Sequence, residues 1–277
     1  MKIAVTGANG FLGRGIVKQL LDSGIEVVAV SRSIDELDSR ADIVQKNIFD
    51  MADPYLEMKS PNVILHLAWI DGFNHNSNSH MDNLNNHFHF LDKLFSSPVD
   101  MVSVMGTVHE VGFFEGSVNS ETPTNPSNFY GISKNTLRQL VQELAVKNNK
   151  TYQWLRAFYI VAEDRKGQSI FSKIVQANDK GNEFFPFVDG KNQFDFLPYI
   201  SFSKYVAMTI SQYDITGIIN ISSGYPQTIG YIMEKFIVEN SLTIKLDYGR
   251  FPTRKYDSKA IWGDSGKLDI IINNSMA

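Results

Sequence analysis

The chain has 277 residues, with 26 basic against 30 acidic side chains for a formal net charge of −4, and no cysteine. At about 150 residues per domain, that length argues for one large domain, or one domain with a smaller lobe grown into it. The charge leaves no broad cationic surface for nucleic acid or anionic lipid, and the lack of cysteine excludes disulfides, thiolate metal sites and cysteine nucleophiles and suits a reducing compartment. The longest apolar stretch, residues 63–70, is interrupted by His66 and is too short to span a bilayer. Residues 1–5 run directly into a glycine turn, unlike a signal peptide. A cytoplasmic protein with neither a membrane nor a nucleic-acid partner is expected.

In chain order, residues 3–5 form a short apolar strand, after which Leu12, Ile16 and Leu20 recur at helical spacing. Residues 25–30 read as a second buried strand, 43–46 as a weaker third and 63–67 as a fourth, each apolar enough for a parallel sheet. A polar connection leads to a helix near 81–95, a strand at 101–104, a long helix near 130–146 and a strand at 152–157. Such repeated βα units predict an α/β fold of Rossmann type: a doubly wound parallel sheet that binds ligands beyond the C-terminal ends of its strands. After about Tyr159 the alternation becomes irregular, with a helix around 169–177, extended pieces near 184–188 and a helix near 203–211. A strand at 218–221 and a helix at 228–238 follow. The expected division is therefore a dinucleotide-binding domain over 1–159 and a smaller substrate-binding lobe over 160–277, of which 218–240 rejoins the main sheet.

Thr6-Gly7-Ala8-Asn9-Gly10-Phe11-Leu12-Gly13 spaces glycines three apart between the first strand and the first helix. Glycine there permits a tight turn, lets backbone N–H groups approach a pyrophosphate and lets the helix pack closely on the sheet, so the turn reads as a dinucleotide site. An acid at the end of the second strand bonds the adenosine ribose hydroxyls, whereas an arginine accommodates a 2′-phosphate. The segment reads Val30-Ser31-Arg32-Ser33 with no acid before Asp35, which favours NADP over NAD, and Arg14 is a second candidate for the phosphate.

Three more segments complete a pattern: Val63-Ile64-Leu65-His66-Leu67-Ala68, Tyr130-Gly131-Ile132-Ser133-Lys134 and Asn220-Ile221-Ser222-Ser223-Gly224. With the glycine turn, they make the chain resemble, nearly end to end, the extended short-chain dehydrogenase/reductase family, in particular its nucleotide-sugar epimerase, dehydratase and reductase branch. Tyr-x-x-x-Lys occurs three times, at Tyr55/Lys59, Tyr130/Lys134 and Tyr231/Lys235, but only Tyr130 opens the long helix after the fifth strand, with the Thr107 hydroxyl just beyond that strand. On a helix Tyr130 and Lys134 share one face, so the ammonium is expected to depress the phenol pKa and to reach the nicotinamide ribose. The resemblance makes Tyr130 the catalytic acid or base, Lys134 its partner and Thr107 the holder of the substrate oxygen.

Carried over position by position, the resemblance implies cofactor contacts from Gly7, Asn9, Gly10, Phe11, Leu12, Gly13, Ser31 and Arg32. It adds Asn47 and Ile48 at the adenine, Leu67, Ala68 and Trp69 along the phosphate and nicotinamide ribose, and Asn83 and Tyr159 beside the catalytic group. Trp69, His109 and Arg254 are implied substrate contacts, with Arg250 as a fallback for the diphosphate and Phe113, Ser169 and Phe171 as further pocket residues. The dehydratase branch carries Asp and Glu where Val108 and His109 stand, and Glu110 is out of register by one, so water elimination is disfavoured. An Asn expected after Leu155-Arg156 and an Arg expected before Asp195-Phe196 are both missing. The histidines at 75, 80, 87 and 89 invite a metal reading, but on a helix His87 and His89 point about 200° apart, and no ligand set has convincing spacing.

The resemblance thus implies an NAD(P)-dependent oxidoreductase that uses NADPH to reduce a ketone, the C4 ketone of a nucleotide-activated 6-deoxy-4-ketohexose. The alternatives are an NAD-dependent nucleotide-sugar C4 epimerase and a non-catalytic dinucleotide-binding sensor. Apolar positions around 84–94 and 137–144 suggest a homodimer built through a four-helix bundle.

Overall fold

The computed structural model describes residues 1–251 and 257–276. Its first part runs β1 (Lys2–Thr6), α1 (Phe11–Asp22), β2 (Glu26–Ser31), β3 (Asp42–Gln45), the single turn α2 (Pro54–Glu57), β4 (Val63–His66), α3 (Ser79–Asp82), α4 (Leu84–Phe95) and β5 (Met101–Thr107). Then follow β6 (Gly116–Val118), α5 (Phe129–Asn148), β7 (Thr151–Ala157), β8 (Tyr159–Val161), α6 (Ile170–Asp179), β9 (Phe184–Pro186), β10 (Gln193–Pro198) and α7 (Tyr199–Ile210). The chain ends with β11 (Gly217–Ile221), β12 (Pro226–Thr228), α8 (Ile229–Glu239), β13 (Lys245–Asp247), β14 (Ala260–Gly263) and α9 (Gly266–Met276).

Seven strands form one parallel sheet in the order β11-β7-β5-β4-β1-β2-β3. Its inner strands are buried on both faces, which is why they read as unbroken apolar runs rather than alternating ones, whereas the edge strand β3 is largely exposed. One face is covered by α1, α7 and α9 through Ile16, Leu20, Phe202, Val206, Leu268 and Ile271, the other by α4 and α5 through Phe90, Leu91, Leu94, Leu137, Val141 and Leu144. The strand order reverses between β1 and β4, so their connections leave in opposite directions and open a crevice at the strands' C-terminal ends. A smaller mixed sheet, β12-β10-β14-β6 with β8 on β10, lies beyond that crevice. Beside it Phe171, Ile174, Phe187, Ile232, Met233 and Phe236 form a separate core.

Several details depart from expectation. The helix near 81–95 is two helices, α3 and α4, joined at Asn83, whose side-chain amide donates to Ser79 O at 2.9 Å. The helix expected at 203–211 starts at Tyr199, straight after Pro198. The expected return of 218–240 divides: β11 joins the main sheet, whereas α8 packs into the smaller core. The strands β6, β10, β12, β13 and β14 and the helix α9 carry little local signal, because their partners lie far away in sequence. Of the apolar positions invoked for a homodimer, Leu91, Leu94, Leu137 and Leu144 are buried in this chain's own core, whereas Leu84, Phe88 and Leu140 are only half-buried. Among the described residues no helix is long and apolar enough to cross a membrane.

At the end of β5, Gly106 lies under the Trp154 indole, and a Cβ there would come within 2.1 Å of Trp154 Nε1. Gly106→Ala is expected to destabilise the fold by about 1–3 kcal/mol through overpacking, read as a lower midpoint of urea unfolding.

Candidate active site

The site is built around the turn after β1. Gly7 has φ +68°, a left-handed conformation, and a Cβ on it would sit 2.9 Å from the Ala68 backbone. A Cβ on Gly13 would come within 2.4 Å of Gly7 O, so α1 packs on the turn with no room to spare. Gly10 is different: its Cβ would meet only Gly7 O, at 3.1 Å, and its other side opens on the cavity. The helix α1 starts beside it with no side-chain cap and no acid in its first turn, so its leading N–H groups and dipole remain available to an anion. These residues fit the pyrophosphate of a dinucleotide.

A cavity of about 1590 Å³ extends from this turn across the C-terminal ends of the strands. Gly7, Asn9, Gly10, Phe11, Leu12, Gly13, Ser31, Arg32, Asn47, Ile48, Leu67, Ala68, Trp69 and Asn83 all line it, and so do Thr107, His109, Tyr130, Lys134, Tyr159, Ser169 and Phe171. Some have structural work as well. Asn9 donates to Ser33 Oγ at 3.0 Å and accepts from Glu36 N at 3.2 Å, tying the turn to the segment after β2, and Asn47 caps the short turn at 48–50 through Phe49 N. Arg32 is exposed at the cavity edge and makes no ion pair among the described residues.

Three expectations fail. Arg14 does not face the cavity, because it pairs with Glu36 at 2.6 Å and donates to Asn9 O. Arg250 pairs with Asp247 at 2.6 Å, away from the cavity, and Phe113 is exposed outside it. Arg254 lies outside the described residues.

Thr107 ends β5 and caps the following short turn, its hydroxyl accepting from His109 N at 3.3 Å. Asn128 caps α5 by accepting from Gly131 N at 2.8 Å, and a Cβ on Gly131 would lie 2.4 Å from His109 O. Glycine at 131 therefore lets the first turn of α5 press against the turn after Thr107, which brings Tyr130 to the Thr107 hydroxyl. Burial pushes the Tyr130 phenol up to about 12; the Thr107 hydrogen bond acts in the opposite sense and the Glu110 charge adds to the rise. Lys134, one helical turn on, is buried; its ammonium donates to Met105 O at 2.9 Å and lies 3.8 Å from the Trp69 ring centre. Burial lowers Lys134 to about 7, partly offset by Glu110. The expectation that Lys134 depresses the phenol is corrected: burial outweighs every other influence on Tyr130, and the ammonium is turned to Met105 and Trp69.

Residues 3–221 match the NAD dependent epimerase/dehydratase family. The chain belongs to this family. It is an enzyme of the extended short-chain dehydrogenase/reductase type that uses a nicotinamide dinucleotide. It is 39% identical over 269 residues to a dTDP-6-deoxy-L-talose 4-dehydrogenase (NAD(+)) of Aggregatibacter actinomycetemcomitans, a match spanning 95% of this chain and 99% of that one. Its fold is similar to that of a UDP-N-acetylglucosamine 4-epimerase from Methanobrevibacter ruminantium M1, with a TM-score of 0.84 at 19% identity over 98% of this chain and 91% of the other. A UDP-glucuronic acid 4-epimerase from Bacillus cereus gives a TM-score of 0.82 at 20% identity, covering 99% and 93% of the two chains.

Against the family pattern, the out-of-register Glu110 turns out to be structural. It is fully buried and accepts from Arg156 Nε at 2.7 Å and from Trp154 Nε1 at 2.9 Å, and Arg156 goes on to Asn119 O at 2.9 Å. The two charges neutralise each other beneath Thr107, whose N–H donates to Glu110 at 3.4 Å. Asp195, in the segment where an arginine is missing, is likewise buried and accepts from Ser223 N, Gly224 N and Gly263 N, pinning the loop after β11.

The polar stretch after β4 forms a flap over the phenol. His75 O accepts from Tyr130 N at 2.9 Å, and the His75 ring stacks on Tyr130 at 5.2 Å. Trp69 Nε1 donates to His80 Nδ1 at 3.0 Å, and His80 Nε2–H donates to Asn74 O at 2.9 Å. Beneath them His66 and His87 are buried side by side, and burial holds His66 well below its ordinary pKa and His87 down at about 3, the Lys134 charge adding to both effects. The unfolded chain binds protons at these histidines from about pH 6.5 downward and the folded chain does not. Stability is therefore expected to be complete above that value and to fall as pH drops from 6.5 towards 3, by about 1.4 kcal/mol per pH unit per histidine once the unfolded state is protonated. Urea unfolding at pH 7, 6 and 5, above most carboxylate titration, measures the slope.

Proposed function

We propose that the protein interconverts a ketone and a hydroxyl at C4 of a nucleotide-activated 6-deoxyhexose, acting as a reductase with NADPH. The observation that carries this reading is that Thr107, Tyr130 and Lys134 share one cavity with the glycine turn. The relative matched along nearly its whole length is named a 4-dehydrogenase of a dTDP-6-deoxyhexose, which supports the same chemistry in the oxidative direction.

The Thr107 hydroxyl orients the carbonyl oxygen, and Tyr130 donates the proton that the oxygen needs as it becomes an alcohol. Burial raises the phenol pKa, so Tyr130 holds its proton at neutral pH, as the acid of the reduction must; in the reverse direction the same oxygen takes the proton back. Lys134, held on Met105 O, offers its remaining N–H donors to ribose hydroxyls. A nicotinamide held by the glycine turn and Lys134 would supply or accept the hydride. Trp69, His75, His109 and Tyr159 wall the space around the phenol.

Preference for NADPH rests on Arg32, which lines the cavity just beyond β2 with no carboxylate partner among the described residues, while Glu36, four residues on, is spent on Arg14 and Lys166. The named relative uses NAD(+), so the cofactor is the part of the reading most open to test. Arg32→Ala is expected to weaken NADPH roughly 10-fold or more and to leave NADH nearly unchanged, since it removes a charge-assisted contact to the 2′-phosphate only. Equal effects on both cofactors would overturn the preference.

Tyr130→Phe is expected to lower ketosugar-dependent cofactor oxidation by roughly 100- to 10,000-fold, the loss typical of removing a general acid. Turnover equal to the unaltered protein would remove Tyr130 from the mechanism. An epimerase would instead retain NAD through purification and interconvert C4 epimers with no net cofactor change, and a sensor would bind cofactor without consuming it across a ketosugar panel.

A further inference from the structure

The buried histidines below Trp69 form a chain whose proton positions follow from hydrogen-bond counting. A threonine oxygen has two lone pairs and one hydrogen. Two N–H groups point at Thr6 Oγ1, Leu67 N at 3.2 Å, which it shares with Thr6 O at 3.3 Å, and Ala68 N at 3.3 Å, and neither can accept. The hydroxyl must therefore donate to its third neighbour, His66 Nδ1, at 2.8 Å. A neutral imidazole that accepts at Nδ1 carries its hydrogen on Nε2, so His66 donates to His87 Nδ1, 3.0 Å away. The same rule places the His87 hydrogen on Nε2. Burial keeps both rings neutral.

This last N–H has no partner among the described residues; His87 is 3% exposed and lines the cavity, so the N–H is open to water or a ligand there rather than sealed in the core. A donor that looks onto a cavity is satisfied there by water or by whatever fills it. The ring is held firmly, stacked on Trp69 at 4.5 Å and meeting Phe49 edge-on at 4.9 Å, and it lines the same cavity as Ala68 and Asn83. Ala68 is the residue whose backbone abuts Gly7 in the pyrophosphate turn.

We propose that His87 is a cofactor-binding residue, donating from Nε2–H to a phosphate or ribose oxygen of the bound dinucleotide, with its tautomer set from the end of β1 by Thr6 through His66. The inference rests on the dinucleotide reading of the cavity. A neutral, rotationally fixed donor discriminates by position, and it binds the same way over the whole range in which the fold is stable.

Three measurements test it. In fluorescence titrations, His87→Phe keeps the stack on Trp69 but loses the donor, and is expected to weaken NADPH and ADP-ribose binding roughly 3- to 10-fold, the scale of one hydrogen bond. His87→Gln keeps an N–H at that place and is expected to recover most of the loss. Weakening of AMP binding as well assigns the acceptor to the adenosine half, and weakening confined to ADP-ribose and NADPH assigns it to the second phosphate or ribose. The third measurement does not depend on a variant folding: in protein with 15N-labelled histidine, His87 is expected to carry its proton on Nε2 and to shift when ADP-ribose is added. Protonation at Nδ1, an unmoved resonance, or a His87→Phe protein that binds as tightly as the original overturns the inference while leaving the cofactor reading intact. Failure of the original protein to bind NADPH, NADH or ADP-ribose overturns the cofactor reading itself.

Discussion

The join between the end of β1 and the end of β4 governs the site. At that point the parallel sheet changes direction, and two backbones that diverge into different connections must first run in contact. Thr6 stitches them by accepting from Leu67 N and Ala68 N, and Gly7 lets the turn lie against Ala68 where any other residue would collide. Once this seam is closed, the first turn of α1 faces the crevice with its N–H groups unspent. The same threonine hydroxyl then has a hydrogen to give, which orders the two histidines beneath the crevice.

A second contact sets the reacting groups. The close approach of Gly131 to His109 O presses α5 onto the turn after β5 and brings a helix residue, Tyr130, up to a strand-end residue, Thr107. Beneath them the Glu110–Arg156 pair is sealed from water, held by Trp154, the Asn119 carbonyl and the Asn220 side-chain amide. Removing one member of such a pair leaves an uncompensated buried charge, so the network is a constraint more than a source of stability. Its effect is positional: it ties β5, β7 and the loop leading from β6 to one another directly under the Thr107 amide.

Much of the main sheet was legible because most of its strands are short apolar runs, and those at β1 and β4 lead into helices of regular period. The glycine turn was legible because its spacing encodes backbone conformations and clearances that only glycine supplies. Tyr130 and Lys134 were legible as a pair at one helical turn, but their electrostatics were not: burial decides the phenol and the ammonium, and burial depends on Trp69, Met105 and the flap at His75, all distant in sequence. The leucines of α4 and α5 show the opposite failure. Their period predicts an apolar face correctly, yet period alone does not say whether that face meets a second subunit or the chain's own sheet.

The sequence by itself determined the βα order, the dinucleotide turn and the residue types available for proton transfer, because those depend on contacts within a few positions along the chain. The tertiary structure decided which charges are spent and which are free. Arg14 is consumed by Glu36 and Arg32 is not; Glu110 serves Arg156 rather than substrate; His87 is left with one donor facing the cavity while His89, two residues on, faces solvent. The physical reason is that ionisation and hydrogen-bond capacity are settled by which groups meet in a space of low dielectric, and those meetings join segments 20 to 60 residues apart.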